Sequence, residues 1–382
     1  MAVVQYKPNE GDKPIIQEIT RIISESLDTW YGRGACLDSD IPEIRSYRNS
    51  FILRYTVTTS EDENKAILIK IRRNPKMGTL QQAIVADIHQ NIPIEYHSLE
   101  FVFDRLANMS EDFGAIRPLA YIERYQAILM EEFPSQTIRH LLIENRTTKN
   151  KEAMNRLRDA ARKTGRWLHY FHHHIHEPAL KDYSIKDILL EAQSYGEQLE
   201  QYSNRRVHAR SIVDAFSKKI EGLSIDSVTF SQSHADMTCD NVLYSNDNRV
   251  CIIDIKTRLA PIYSDLGLIL IHPETSKQMI FSGGTYYPEA LLEEYRSEIV
   301  AGYFDEEPGD KTLVQIYSAI KVMDKWLMYE ELMSRYKGIK HLLSVPVGPF
   351  VTAYFRNLLN KHLRLIEVDE TRRAVEAAGH FT

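Results

Sequence analysis

The sequence predicts an α+β protein in two unequal parts, a small one around an antiparallel sheet and a larger, mainly helical one. Short runs of β-branched and aromatic residues crowd between Phe51 and Phe133, whereas after Ser135 the apolar residues recur mostly at helical spacing. No repeat with a period of roughly 20–50 residues is visible, which sets aside solenoids and propellers. The change of character at Phe133-Pro134 divides the chain into residues 1–133 and 134–382.

Each element follows from local pattern. Ile15, Ile16, Ile19, Ile22 and Ile23 fall on one face of a helix over Pro14 to Leu27. Phe51 to Val57 and Ala66 to Ile71 read as strands, joined across the polar turn Ser60-Glu61-Asp62-Glu63-Asn64. Pro93 suits the first turn of a helix that carries Leu99, Val102, Phe103 and Leu106 on one side. Two further strands are expected near Ile116 to Ile122 and Gln126 to Phe133. In the second part, short strands alternate with turns only between Val228 and Ile255.

Composition narrows the function classes. Lys plus Arg number 47 against 53 Asp plus Glu, a net charge of −6, which argues against binding nucleic acid through phosphate neutralisation. No run approaches the ~18 consecutive apolar residues that span a bilayer, and the start Met1-Ala2-Val3-Val4-Gln5-Tyr6-Lys7-Pro8 lacks a signal-peptide layout. Three cysteines, Cys36, Cys239 and Cys251, form no Cys-x-x-Cys pair, so no disulfide framework or zinc ribbon is expected. The expectation is a soluble, cytoplasmic protein with neither nucleic acid nor membrane as partner; oligomeric state stays open.

One segment carries chemistry. His234-Ala235-Asp236-Met237-Thr238-Cys239-Asp240-Asn241 is followed, thirteen residues after Asn241, by Asp254 beyond the apolar run Val250-Cys251-Ile252-Ile253. Alone, such an Asp/Asn-rich stretch is an ordinary turn. Joined to an aspartate at that interval, it resembles the catalytic and metal-binding loops of the protein-kinase-like superfamily, in particular the aminoglycoside phosphotransferase family of small-molecule kinases. The family pattern is H-G-D-x-x-x-x-N with a metal-binding Asp after the next strand. The resemblance implies a two-lobed protein-kinase-like fold, Mg²⁺ as cofactor, and ATP or GTP as phosphoryl donor. It makes Asp236 the catalytic carboxylate, Asn241 and Asp254 the metal ligands, and His234 a loop support. Phosphoryl transfer to an alcohol calls for these residue types: a carboxylate to orient the hydroxyl and accept its proton, and hard oxygen ligands for Mg²⁺.

Other positions fall in the order the family keeps, from about Tyr47 to Tyr303. Lys70 closes the strand Ala66-Ile67-Leu68-Ile69, where the family has the lysine that contacts the α- and β-phosphates. Its partner is a glutamate of the next helix; Glu95 and Glu100 are both present, and Glu95 is preferred. Met130, Glu131, Glu132 and Phe133 are the hinge whose backbone would bond the adenine edge. Pro261-Ile262-Tyr263-Ser264-Asp265-Leu266-Gly267 resembles the family's P-x-x-x-D-L-A/G, with Asp265 tying the catalytic loop to the helical lobe. Gly165 to His172 resembles the G-x-x-L-x-x-L-H helix beneath that loop.

There are departures. The phosphate-covering turn falls on Arg48-Asn49-Ser50, which has no glycine, although Ser50 offers a hydroxyl. Ala235 replaces the glycine after His234. The metal strand ends Asp254-Ile255-Lys256, where Lys256 reads either as a surface lysine or as a partner for a phosphate or anionic acceptor. Three adjacent histidines, His172-His173-His174, cannot share one ion on a helix because neighbours point about 100° apart; with His176 they read as a fraying helix end before Pro178.

These readings make the chain a Mg²⁺-dependent kinase acting on a hydroxyl of a small molecule such as a sugar, aminoglycoside or amino alcohol. The alternative is a catalytically inactive kinase-fold binding or scaffold protein, which the glycine-free turn favours. A protein kinase is disfavoured because no A-P-E-like segment follows Asp254. The acceptor itself is not written in the sequence. Glu191, Glu197, Glu200, Glu289, Glu293 and Glu294 are the candidates for an acidic wall facing a cationic one.

Overall fold

A computed structural model describes residues 4–74, 76–85, 92–106, 109–147, 150–175, 178–203, 207–223, 225–305, 309–335 and 347–366. The chain divides into two compact units, Met1–Ser135 with Cys251–Ile255, and Gln136–Val250 with Lys256–Thr382.

The first unit contains β1 (Val4–Gln5), α1 (Lys13–Tyr31), β2 (Cys36–Leu37), β3 (Glu43–Ser46), β4 (Ser50–Thr58), β5 (Asn64–Arg72), α2 (Leu80–Val85), α3 (Ile92–Leu106), β6 (Pro118–Ile122) and β7 (Ala127–Glu131). The strands form an antiparallel sheet in the order β1-β3-β4-β5-β7-β6, with β2 paired to β4. Side chains alternate across a strand. Phe51, Leu53, Tyr55 and Val57 of β4 and Ile67, Ile69 and Ile71 of β5 therefore enter one core with Ile19, Ile23 and Leu27 of α1. The other face is mixed, with Ile52, Leu68 and Ile128 among polar side chains. Ser50 lies opposite Arg72 and Ile52 opposite Lys70, so Ser50, Lys70 and Arg72 share it. The expected helix and strands are all present, with α1 running on to Tyr31.

From Ser135 onward come β8 (Ser135–Thr137), α4 (Ile138–Thr147), α5 (Lys151–Tyr170), β9 (Ala179–Asp182), α6 (Ile185–Tyr202), α7 (Ala209–Ile220), β10 (Ser227–Ser233), β11 (Val242–Ser245), β12 (Val250–Ile252), β13 (Arg258–Pro261), α8 (Tyr263–Ile271), α9 (Lys277–Phe281), α10 (Glu289–Tyr303), α11 (Lys311–Ser334) and α12 (Val347–Leu365). Within the second unit β10 pairs antiparallel with both β9 and β13. Every residue of α8 is buried, as expected of a helix that is apolar nearly all round. Glycines let backbones meet. A Cβ on Gly165 of α5 would lie 2.1 Å from the Ile299 carbonyl oxygen of α10, and one on Gly302 would lie 2.0 Å from that of Arg162. The α5–α10 contact is flanked by the ion pairs Arg158–Glu294, Arg162–Glu298 and Arg166–Asp305.

One carboxylate is sunk among the helices. Glu274, 1% exposed, receives His362 Nε2 at 2.9 Å and Lys361 Nζ at 2.7 Å, with Arg296 Nη1 3.0 Å away. Burial alone would raise its pKa, but these cations bring it down to about 2. The three cysteines are free thiols, and no described helix is long and apolar enough to cross a membrane.

Candidate active site

In the sheet unit, β5 presents Lys70 on the face away from the core, and α3 places Glu95 in its first turn. Lys70 Nζ donates to Glu95 Oε1 at 2.7 Å and is also hydrogen-bonded to Asp254 Oδ1. Arg72, two residues on along the same face, donates through Nε to Glu95 Oε2 at 2.8 Å. Glu100, the other candidate, pairs with His97 on the exposed side of α3. Lys70 and Glu95 side chains are each 11% exposed. Burial opposes the ammonium, but Asp254 and Glu95 together hold its pKa above the ordinary lysine value. Asp254 itself adopts φ +58°, a left-handed conformation that Asp tolerates better than most side chains. Such backbone concentrates where a side chain must be aimed.

The expected phosphate-covering turn joins β3 to β4. It is closed by the Tyr47 N–H on the Ser50 carbonyl at 2.8 Å, and the Asn49 carbonyl accepts Arg73 N–H at 2.9 Å. Ser50 is thereby placed on the face that carries Lys70. The expected hinge is partly engaged within the sheet. Met130 sits in β7 opposite Leu68, Glu131 N–H donates to the Arg117 carbonyl at 2.9 Å, and Glu132 N–H donates to Ala66 at 2.7 Å. Those two N–H groups are therefore not open to an adenine, a correction to the expected hinge. The Glu132 side chain is held by Arg54 Nη2 at 2.7 Å, and the Phe133 carbonyl accepts the Ser135 hydroxyl.

In the helical unit, β10 ends at Ser233 and delivers the chain into the loop beginning at His234. The buried Asp265, in the first turn of α8, organises that loop. Its Oδ2 accepts His234 N–H at 2.6 Å and faces His172 Nε2 at 3.2 Å, while Oδ1 accepts the Ser233 hydroxyl at 2.8 Å and Ala235 N–H at 3.2 Å. Burial pushes the Asp265 carboxyl up, but His172, His234 and Ser233 outweigh it and hold it at about 2. His234 is buried, and its Nδ1 accepts Asp236 N–H at 3.3 Å. Asn241 Nδ2 donates to the Asp236 carbonyl at 2.8 Å, which closes the loop from its other end. Farther along, Cys239 N–H donates to His272 Nδ1 at 3.1 Å. Burial and the nearby Arg139 and Lys325 keep that imidazole neutral, hence able to accept.

Three further groups bear on this loop. Lys256 donates to Asp236 Oδ2 at 2.9 Å, and its N–H bonds the His234 carbonyl at 3.2 Å. Lys256 is thus more than a bare surface lysine. His172 corrects the expectation of a fraying end: Phe171–Ile175 form a π-helical turn, and His172, 0% exposed, bridges Asp265 and the Tyr303 hydroxyl at 2.9 Å. His176, the last of the run, lies outside the described residues. The third group is Ala235, whose φ of +65° explains why glycine is the residue that suits this position.

Most glutamates considered for an acidic wall serve the fold. Glu294 pairs with Arg158, Glu289 with Arg296 and Lys361, and Glu200 accepts Ala209 N–H. Glu197 is bonded by Gln193. Glu191 differs, accepting the Tyr183 hydroxyl at 3.2 Å.

Among the described residues no three His, Cys, Asp or Glu side chains gather as a metal cage. The residues present nevertheless suit a hard cation. In the helical unit Asn241 spends its amide N–H₂ on the Asp236 carbonyl and its Oδ1 has no partner among the described residues; in the sheet unit Asp254 carries a carboxylate, one oxygen of which meets Lys70. Oxygen donors few in number are what Mg²⁺ accepts when phosphates and water complete its shell.

No protein-family model matches the sequence, and no curated protein matches it. Similar solved structures include a choline kinase from Cryptosporidium parvum, with 11% identity over 94% of this chain and 96% of that one and a TM-score of 0.49. A macrolide 2'-phosphotransferase type I has 12% identity over 94% of this chain and 99% of that one, also at 0.49. A glucosamine kinase has 10% identity over 92% of this chain and 81% of that one, again at 0.49. At such identities and scores these likenesses lend no weight to the functional reading, which rests on the two clusters of this chain.

Proposed function

We propose that the chain is a small-molecule kinase that moves the γ-phosphoryl group of ATP or GTP, with Mg²⁺, onto a hydroxyl of a small acceptor. The observation that carries this reading is Lys70 clasped by both Glu95 and Asp254, three residues far apart in sequence. A solvated edge lysine has no need of two carboxylates. A lysine meant to meet polyanionic phosphates needs its ammonium charged and aimed beforehand, and this arrangement does both.

In the proposed reaction Lys70 binds the nucleotide phosphates, and Asp254 and Asn241 would hold the metal through their oxygens. Bound Mg²⁺ supplies neutralisation of phosphate charge. Asp236 orients the acceptor hydroxyl. The acceptor oxygen forms a bond to the γ-phosphorus, the bond from that phosphorus to the β–γ bridging oxygen breaks, the hydroxyl proton passes to Asp236, and the nucleoside diphosphate leaves. Asp265, His172 and His234 act through the loop and are positioning residues. Lys256 contacts the carboxylate that takes the proton and fixes where it points.

The test is nucleotide turnover with a panel of sugars, aminoglycosides and amino alcohols, reading ADP and GDP release. A second reading, an inactive binding protein, draws support from the glycine-free turn at Arg48-Asn49-Ser50. A thermal shift with MgATP accompanied by slow hydrolysis supports the kinase. A chain that shows no Mg²⁺-dependent shift and no diphosphate release supports the binding protein.

A further inference from the structure

One group of charges in the helical unit has no part in the chemistry above. Lys321 of α11 is 3% exposed, yet its ammonium has no hydrogen-bond or ion-pair partner among the described residues. One helical turn earlier, Tyr317 is 1% exposed, and its hydroxyl faces that of Tyr183 without closing a well-formed hydrogen bond. Nearly buried polar groups are almost always satisfied, and a buried unpaired ammonium is the costlier kind of exception.

The charges that face Lys321 come from four elements: Asp324 on α11, Arg258 on β13, Glu191 on α6 and Asp265 on α8. Burial pulls the Lys321 amine below its ordinary value, with Asp324 chief among the groups opposing that. Asp265 is already committed to the loop. Arg258 and Asp324 form no ion pair with a described residue, and Glu191 accepts only from Tyr183. Elsewhere in this unit flexible opposite charges close directly, as in Arg162–Glu298 at 2.7 Å. Here two cations and two carboxylates stand within electrostatic reach of one another and do not close. Groups of both signs held apart in this way complement a ligand that carries both signs.

The cluster also lies beside the catalytic loop. Arg258 is paired in register with Ser233, the residue before His234, and Asp265 ties the amides of His234 and Ala235.

We infer that the acceptor is a hydroxylated zwitterion of the amino-acid type, its carboxylate received by Lys321 and Arg258 and its ammonium by Glu191 and Asp324. The inference deepens the kinase reading and rests on it for the fate of the hydroxyl, but binding of the two charged groups can be measured alone.

Two matched series serve as probes: L-serine, ethanolamine and 3-hydroxypropionate, and L-tyrosine, tyramine and 3-(4-hydroxyphenyl)propionate. Calorimetry on the full chain is expected to show the amino acid of at least one series binding about tenfold or more tighter than both of its counterparts. Lys321→Met should abolish the advantage of the amino acid over its decarboxylated amine while leaving the amine within about twofold. The exposed Arg258→Gln, which poses no folding question, should weaken the amino acid about threefold or more and spare the amine. Amines that bind wild type as tightly as the amino acids, an advantage that survives Lys321→Met and Arg258→Gln, or no binding by any of the six, would overturn the inference. Release of ADP or GDP is read separately. Lys321-dependent binding without turnover sinks the kinase reading and leaves the binding site; turnover of amino alcohols alone does the reverse.

Discussion

Lys70 and Glu95 lie 25 residues apart in the sequence, and their charged atoms are 2.7 Å apart on the face of the sheet turned from its core. The pair is part of a longer relay, since Glu95 is shared with Arg72 and Lys70 with Asp254. Removing either end should be felt as lost phosphate recognition. Lys70→Met is expected to lower kcat/KM for MgATP on the order of 100- to 1,000-fold, and Glu95→Gln, which leaves the lysine loosely aimed, about tenfold. Steady-state kinetics with varied nucleotide checks both; unchanged kcat/KM in Lys70→Met would remove the main support for the kinase reading.

Asp236 offers a separate test because its loop is held by neighbours. His234 and Asn241 fix the backbone around it. The variant Asp236→Asn keeps the shape and loses the proton acceptor. Turnover should fall on the order of 100- to 1,000-fold while nucleotide affinity stays within about twofold. Single-turnover kinetics and nucleotide titration together separate the two effects.

Acid sensitivity follows from two buried carboxylates. Asp265 is held at about 2 against an ordinary 3.8, and Glu274 at about 2 against 4.5. A carboxyl depressed in the folded chain contributes stability above its unfolded value, and that contribution is lost as pH falls toward the folded one. Each should therefore supply on the order of 2–3 kcal/mol at neutral pH that disappears between about pH 4.5 and 2. Urea midpoints across that range should slope steeply in wild type and less in Asp265→Asn. A slope unaltered by the substitution would contradict the assignment of Asp265 as a charged anchor.

Ala235→Gly should stabilise the chain. With φ at +65°, the alanine methyl group sits in a conformation that costs about 1–2 kcal/mol, while glycine adds about 0.4–1 kcal/mol of unfolded-state freedom. The net expectation is a gain of about 0.5–1 kcal/mol, read as a rise in Tm; a fall would mean that the methyl group contributes packing the loop needs.

The residues of the proposed site were chosen from the sequence because they come in a fixed order. Asp236, Asn241 and Asp254 stand out by spacing, whereas the choice of Glu95 over Glu100 was narrow in the sequence and the hydrogen bond from Lys70 to Glu95 decides it. What the sequence concealed was burial. His172 sits in a polar-looking run, yet it continues the buried stripe Leu157, Ala161, Thr164 and Leu168 by one more turn. Helical phase carried that signal, and the neighbouring histidines masked it. Lys321 is a single charge within the apolar stretch Ala319-Ile320-Lys321-Val322-Met323, a mark of a buried cation that the charge count averages away. The hinge was harder still, because which backbone N–H groups are spent inside the sheet depends on register and not on side-chain identity.

Gly165 and Gly302 have a bearing on how this chain can change. Helices α5 and α10 interlock backbone to backbone at these two points, with a carbonyl oxygen about where each missing Cβ would stand. Propensity scales recommend alanine for a glycine inside a helix, and here that advice would pry the interlock open. A tolerance map of all substitutions should consequently show two positions, remote from any phosphate, as unforgiving as Asp236 itself.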